Sequence, residues 1–211
     1  MTGRLDAFTF PGRVGALEGL WKDAPPPRGG TAVVAHPHPL HGGTLHNKVV
    51  YRAAQALSEA GWATLRFNFR GVGLSEGRHD AGRGETDDFR AAMEEALHRG
   101  GPPLLAAGFS FGSAVALRAS SGDPRVVARI AIGLPLATES GRDVPRVPPP
   151  ALFVTGERDS FGPPDLLARF VGDSGQIVIV PQADHFFEGQ LERLQEAIAS
   201  FLGGLAKAER A

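Results

Sequence analysis

The chain has 211 residues, 42% of them hydrophobic and 21% charged, with a formal net charge of −1 and no cysteine. That length suits one domain, numbered 1–211, able to bury about 70% of its unfolded surface without a metal or disulfide staple. The near-zero charge supplies no broad basic field for nucleic acid or an anionic membrane. The missing cysteines exclude thiolate nucleophiles, Cys-ligated zinc and disulfides.

The opening MTGRLDAFTF meets charge at Arg4 and Asp6 and holds no apolar run, so no signal peptide is expected. No stretch approaches the roughly 18 consecutive apolar residues of a membrane helix. The expectation is a cytoplasmic protein with neither nucleic acid nor membrane as partner.

Along the chain, Leu5–Phe10 and Val14–Leu20 read as a hairpin turning at Pro11-Gly12-Arg13. Pro25–Pro27 is a stiff loop before the short apolar strand Thr31–Ala35. Asn47–Ala60 carries apolar residues at 49, 50, 53, 54, 57 and 60, one face of a helix that ends at Gly61. Strand Trp62–Phe69 follows, then helix Glu85–His98 with acidic residues in its first turn, where the macrodipole favours them. Strand Pro103–Ala107, helix Phe111–Ser120 and strands Val126–Ile132 and Ala151–Thr155 come next, with the proline run Pro145–Pro150 as a loop. A helix near Pro163–Val171, strand Gln176–Val180 and the amphipathic helix Glu188–Leu205 complete the chain. Strands apolar on both faces, alternating with helices, predict an α/β fold: a mostly parallel sheet covered on both sides, with functional loops at the carboxyl ends of the strands. Apolar strands at a sheet edge leave both a monomer and a homodimer open.

One such loop carries chemistry. Gly108-Phe109-Ser110-Phe111-Gly112 stands between a strand and a helix, the setting a G-x-S-x-G nucleophile elbow requires. A second match, Gly73-Leu74-Ser75-Glu76-Gly77, leads into the charged stretch RHDAGRG rather than a helix, so context selects Ser110. A serine hydroxyl needs a base, and the base needs an orienting acid; in this arrangement the chain order is Ser, acid, His. His185 is the only histidine after Ser110. Asp159, just past strand Ala151–Thr155, is preferred over Glu157, Asp165, Asp173 and Asp184 as a short acid at the carboxyl end of its strand. The oxyanion hole is expected to use the N–H of Phe111 and one from the loop His36–Gly43. Pro37 and Pro39 have no N–H, which leaves His38 or Leu40.

Two rival readings are weaker. His36, His38, His41 and His46 have the residue type of a metal site, but no acid or cysteine accompanies them in the loop and alternating prolines stiffen it. Arg70-Gly71-Val72-Gly73-Leu74-Ser75 approximates a dinucleotide fingerprint, yet Ser75 replaces the last glycine and no helix opens there. No metal and no cofactor are expected.

On these motifs the sequence resembles the α/β-hydrolase superfamily, over residues 5 to 205. Within it the chain is similar to small bacterial hydrolases sharing an H-P-H-P-L-x-G-G loop, here His36–Gly43, and an N-F-R-G-x-G-x-S-x-G segment, here Asn68–Gly77. The acid loop GERD and the segment ADHFF complete the set. The resemblance implies about eight strands with flanking helices and the triad Ser110, Asp159 and His185. It also implies kinship with dienelactone hydrolases, which use cysteine where this chain has Ser110, so that substrate does not carry over. Between strands Val126–Ile132 and Ala151–Thr155, where relatives insert a helical cap, only Gly133–Pro150 is present, too short for a lid. Leu40, Phe109, Leu134, Phe161 and Phe186 are the expected substrate-lining residues. The resulting expectation is a cofactor-free serine carboxylesterase acting on small or short-acyl esters through an acyl-enzyme. A thioesterase or amidase with the same triad, or a non-catalytic binding protein, are the alternatives.

Overall fold

A computed structural model describes residues 5–24 and 29–208. The proline run Pro25–Pro27 and Arg4 lie outside the described residues.

The first two strands, β1 (Leu5–Pro11) and β2 (Ala16–Lys22), form an antiparallel hairpin in the register Pro11↔Ala16 to Leu5↔Lys22. The second strand starts two residues later than its composition suggests, because Gly12 N–H closes a turn on Gly15 O at 2.8 Å. Then strands and helices alternate: β3 (Gly30–Ala35), α1 (Lys48–Glu59), β4 (Trp62–Phe67), α2 (Arg83–Gly100), β5 (Leu104–Phe109), α3 (Phe111–Ser120), β6 (Val126–Ile132), β7 (Ala151–Gly156), α4 (Pro164–Val171), β8 (Gln176–Val180) and α5 (Leu191–Ala208). Asn47 caps α1 by accepting from Val49 N at 2.9 Å.

The eight strands lie in one sheet in the order β1-β2-β4-β3-β5-β6-β7-β8. β2 pairs antiparallel with β4, and every later pair is parallel. α1 and α5 pack together over one face, where Val34, Leu57, Ile130 and Ile198 share a core. α2 and α3 cover the other face around Phe67, Phe89 and Val115, and Leu167 of α4 joins Leu117 of α3 and Phe153 there. β3, β4, β5 and β7 are buried along their whole length, which is why they read as mainly apolar runs rather than alternating ones.

From β3 the chain steps outward to β4, then crosses back to β5 on the opposite side of β3. Loops leaving β3 and β5 therefore diverge at their carboxyl ends, the crevice where doubly wound sheets hold ligands. The segment between β6 and β7 contains a single 3-10 turn, Glu139–Gly141, and no cap domain.

Strand β4 stops at Phe67 rather than Phe69 because Asn68 makes a last bond to β2 and the two N–H groups after it leave the sheet. Asn68 N–H goes to Glu18 O (2.9 Å), Phe69 N–H to His36 Nε2 (3.0 Å) and Arg70 N–H to Asp88 Oδ2 (3.0 Å). This locks the Asn68–Gly77 segment. Asn68 Oδ1 accepts from Leu45 N at 2.8 Å, and Arg70 makes an ion pair with the fully buried Asp88 at 2.7 Å. Ser75 is buried, its hydroxyl donating to Asn68 O at 2.7 Å and accepting from Glu18 N at 2.9 Å. The second G-x-S-x-G match is a structural turn.

Candidate active site

Ser110 sits between β5 and α3 with φ 54° and ψ −123°, a left-handed strain that a non-glycine residue keeps only when its surroundings enforce it. Ser110 N–H donates to Ile132 O at 2.8 Å, and Ser110 O accepts from Ser113 N at 2.9 Å and Ser113 Oγ at 2.6 Å. The flanking glycines are needed for close approach. A Cβ on Gly108 would collide with the carbonyl of Gly112, and one on Gly112 would collide with His36 O and lie 2.7 Å from Ala35 O. The elbow is thus wedged against the end of β3.

The Ser110 hydroxyl is 2.8 Å from His185 Nε2, and His185 Nδ1 is 2.9 Å from both carboxylate oxygens of Asp159. With Nδ1–H donating to the carboxylate, Nε2 is left as the acceptor for the serine proton. His185 and Asp159 are buried, and the imidazole is ringed by Phe161, Phe109 and Phe186 at centroid distances of 4.5, 5.2 and 5.3 Å.

Asp159 is held by its own loop. Its Oδ1 accepts from Phe161 N and Gly162 N, both at 2.9 Å, and Thr155 Oγ1 lies 3.3 Å from Oδ2. Burial would raise the Asp159 carboxyl, but the hydrogen bond and charge of His185 and the Gly162 and Phe161 N–H donors outweigh it, leaving the group below the usual range. Three of the four sequence rivals are engaged elsewhere: Glu157 accepts from Gln182 N, Asp184 from Phe186 N and Glu188 N, and Asp165 pairs with Arg169. Two supporting residues escaped the sequence. Thr155 braces the acid loop, also donating to Gly162 O at 2.9 Å. Gly133, just after β6, leaves the space under His185: a Cβ there would lie 3.1 Å from His185 Cε1. A glycine directly after a strand was the only available signal for it.

The loop after β3 lies on the other side of the elbow, the His38 ring 4.9 Å from that of Phe111. Phe111 heads α3, and its N–H takes no acceptor among the described residues. Leu40 N–H donates to His38 Nδ1 at 3.2 Å, so it is spent within the loop, and the Leu40 side chain is exposed. The backbone N–H of His38 takes no acceptor among the described residues. Of the five expected lining residues, Leu40, Phe161 and Phe186 are exposed. Phe109 and Leu134 are fully buried: Phe109 packs beneath the imidazole and Leu134 in the core under α3 and α4, so they support the site rather than line it.

His36 has a different task. Its Nδ1 lies 2.7 Å from Pro37 O and its Nε2 accepts from Phe69 N, which fixes a neutral tautomer joining the loops after β3 and β4. Burial pushes its pKa down to about 4. In the unfolded chain the same group titrates near 6.5. Between these values the unfolded state binds the extra proton, so stability is complete above pH 6.5 and falls as pH drops toward 4, by about 3 kcal/mol in total. Urea unfolding of His36→Asn is expected to show a lower midpoint at pH 7 and a flatter dependence on pH across that window. An unchanged slope would contradict this role.

A serine, a histidine and a carboxylate linked in that order by hydrogen bonds at the carboxyl edge of a doubly wound sheet have the geometry of a serine hydrolase class of site. Residues 31–200 match the alpha/beta hydrolase domain family, and the chain belongs to it. It is 36% identical over 207 residues to an uncharacterized protein of Rickettsia prowazekii (strain Madrid E), spanning 92% of this chain and 87% of that one. Its structure is similar to that of an alpha-beta serine hydrolase homologue from Coxiella burnetii (TM-score 0.86, 36% identity, 95% of this chain and 97% of that chain). It is also similar to XC6422 from Xanthomonas campestris, described as a serine hydrolase without a lid (TM-score 0.87, 34% identity, 96% and 95% covered). The chain is accordingly a lidless hydrolase of the α/β type. Among the described residues no helix is long and apolar enough to cross a membrane.

Proposed function

We propose that this protein is a serine carboxylesterase for small or short-acyl esters. The observation that carries the reading is the continuous hydrogen-bonded path from Ser110 Oγ through His185 to Asp159, at 2.8 and 2.9 Å.

The Ser110 oxygen attacks the ester carbonyl while its proton passes to His185 Nε2. The imidazolium that forms is stabilised by Asp159, which stays ionised. Negative charge collects on the carbonyl oxygen, where the N–H of Phe111 and that of His38 donate to it; the engaged N–H of Leu40 favours His38 as the second donor. Collapse breaks the C–O bond, and His185 returns the proton to the departing alcohol. Water, deprotonated by His185, then releases the acid and restores Ser110 Oγ–H. The cap-free edge and the exposed Leu40, Phe161 and Phe186 suit short, accessible acyl groups rather than long lipids.

Hydrolysis of p-nitrophenyl esters from acetate to decanoate tests this. Activity should peak at the short chains and be indifferent to EDTA. A peak at decanoate would overturn the short-acyl assignment, and loss with EDTA would overturn the metal-free mechanism. Inactivity on every ester alongside turnover of a thioester or amide would transfer the same triad to those substrates.

A further inference from the structure

A large hollow beside the elbow is not lined by Ser110. It is an open cavity of about 880 Å³ that begins behind Phe111, His38 and Leu40 and extends over the start of α2 and the loop between β6 and β7. Its walls carry Arg83, Arg90, Arg118 and Arg142 against Glu139 and Asp143.

Three of these cations are already matched. Arg83 lies 3.0 Å from Asp80, Arg90 3.1 Å from Asp87 and Arg142 3.2 Å from Glu139. Arg118 is different. It projects from the otherwise buried helix α3, half-buried, and makes no ion pair among the described residues. Its Nη2 donates to the carbonyls of Ser140 and Arg142, while Nε and Nη1 take no acceptor among the described residues. Burial pulls this guanidinium below the usual arginine range, and the charge of Asp143 only partly offsets it. A desolvated cation with open N–H groups gains from an incoming anion.

The floor next to it is shaped for access. Gly82 has φ 90° and no Cβ; one built there would lie 3.5 Å from Arg118 Nη1 and 3.8 Å from the Phe111 ring. The open guanidinium edge and the ring of the residue after the nucleophile therefore flank the same gap.

Resting on the esterase reading above, we infer that this cavity is a carboxylate subsite. It selects esters that carry a free carboxylate a few bonds from the scissile carbonyl, such as hemiesters of short dicarboxylic acids, with Arg118 as the specificity-determining residue. One unmatched guanidinium suits a monoanion.

The test compares p-nitrophenyl hydrogen glutarate with p-nitrophenyl valerate, alike in chain length and different in charge. Wild type is expected to favour the glutarate by about tenfold or more in kcat/KM, the size of one charge-assisted hydrogen bond. Arg118→Gln should lose that preference with the valerate rate nearly unchanged. Arg118→Lys should recover part of it, which a purely structural role in holding the Ser140–Arg142 loop would not produce. Added salt should erode the preference in wild type and leave Arg118→Gln unaffected. Equal rates on the two esters in wild type, or an unaltered preference in Arg118→Gln, would overturn the subsite. If neither ester is hydrolysed, the esterase reading fails on its own, and calorimetric titration with glutarate decides the subsite. Binding by wild type that is lost in Arg118→Gln supports it, and no binding or equal binding overturns it.

Discussion

Ser110→Ala is expected to lower kcat on a short-chain ester by about 10⁵–10⁶-fold while leaving the fold intact. The size follows from the way the three residues act together. Without Oγ no acyl-enzyme forms, and His185 Nε2, otherwise 2.8 Å from the hydroxyl, has no proton to take. What survives is water attack helped by the oxyanion donors. Stability should hardly change, because alanine at this position inherits the same φ of 54° and the same hydrogen bond from residue 110 N–H to Ile132 O. Circular dichroism and the unfolding midpoint check that half of the result, and ester turnover checks the other. Retention of activity within a hundredfold of wild type would remove Ser110 from the nucleophile role.

The second large effect is on stability. Arg70 donates from Nε and Nη2 to both oxygens of Asp88 and from Nη2 to Gly84 O. Asp88 is completely buried. Arg70→Met removes the cation and strands a carboxylate away from water, at a cost of about 3–5 kcal/mol. Unfolding at neutral pH should therefore shift down by on the order of 10 °C. The double variant Arg70→Met/Asp88→Asn should recover part of the loss, since no charge is then left unpaired in the interior. A single-variant loss below about 1 kcal/mol would show that water reaches Asp88 and that the pair behaves as a surface one.

The parts of the site that were legible in sequence are those encoded by local chemistry. The elbow is set within five residues, because Gly108 and Gly112 are tied to one turn and to the end of β3. His185 was legible by elimination and Asp159 by its place just past β7, and the structure brings both to Ser110. What stayed hidden depends on partners distant in the chain. Asn68 and Phe69 looked like more strand, yet Asn68 N–H goes to Glu18 O and Phe69 N–H to His36 Nε2. α5 begins at Leu191 rather than Glu188 because Asp184 accepts from Phe186 N and Glu188 N and organises the chain before it. Phe109 reads as following a strand but is the last residue of β5, and Leu134 lies just past β6. Position at a strand end does not say which way a side chain turns, and both are buried. Leu40 and His38 were equivalent as oxyanion donors in sequence; only the bond from Leu40 N to His38 Nδ1 separates them. Arg118 carried no signal in the sequence, since the loop and the cavity beside it come from elsewhere in the fold.

The central claim is that Ser110 is the nucleophile, and labelling with a fluorophosphonate tests it most directly. The reagent forms a P–O bond with an activated serine oxygen and releases fluoride, and peptide mass spectrometry locates the adduct. One adduct on the peptide containing Ser110, forming in step with loss of esterase activity and absent from Ser110→Ala, is the expected result. An adduct on another serine that tracks the loss of activity, or full activity after complete labelling of Ser110, would contradict it.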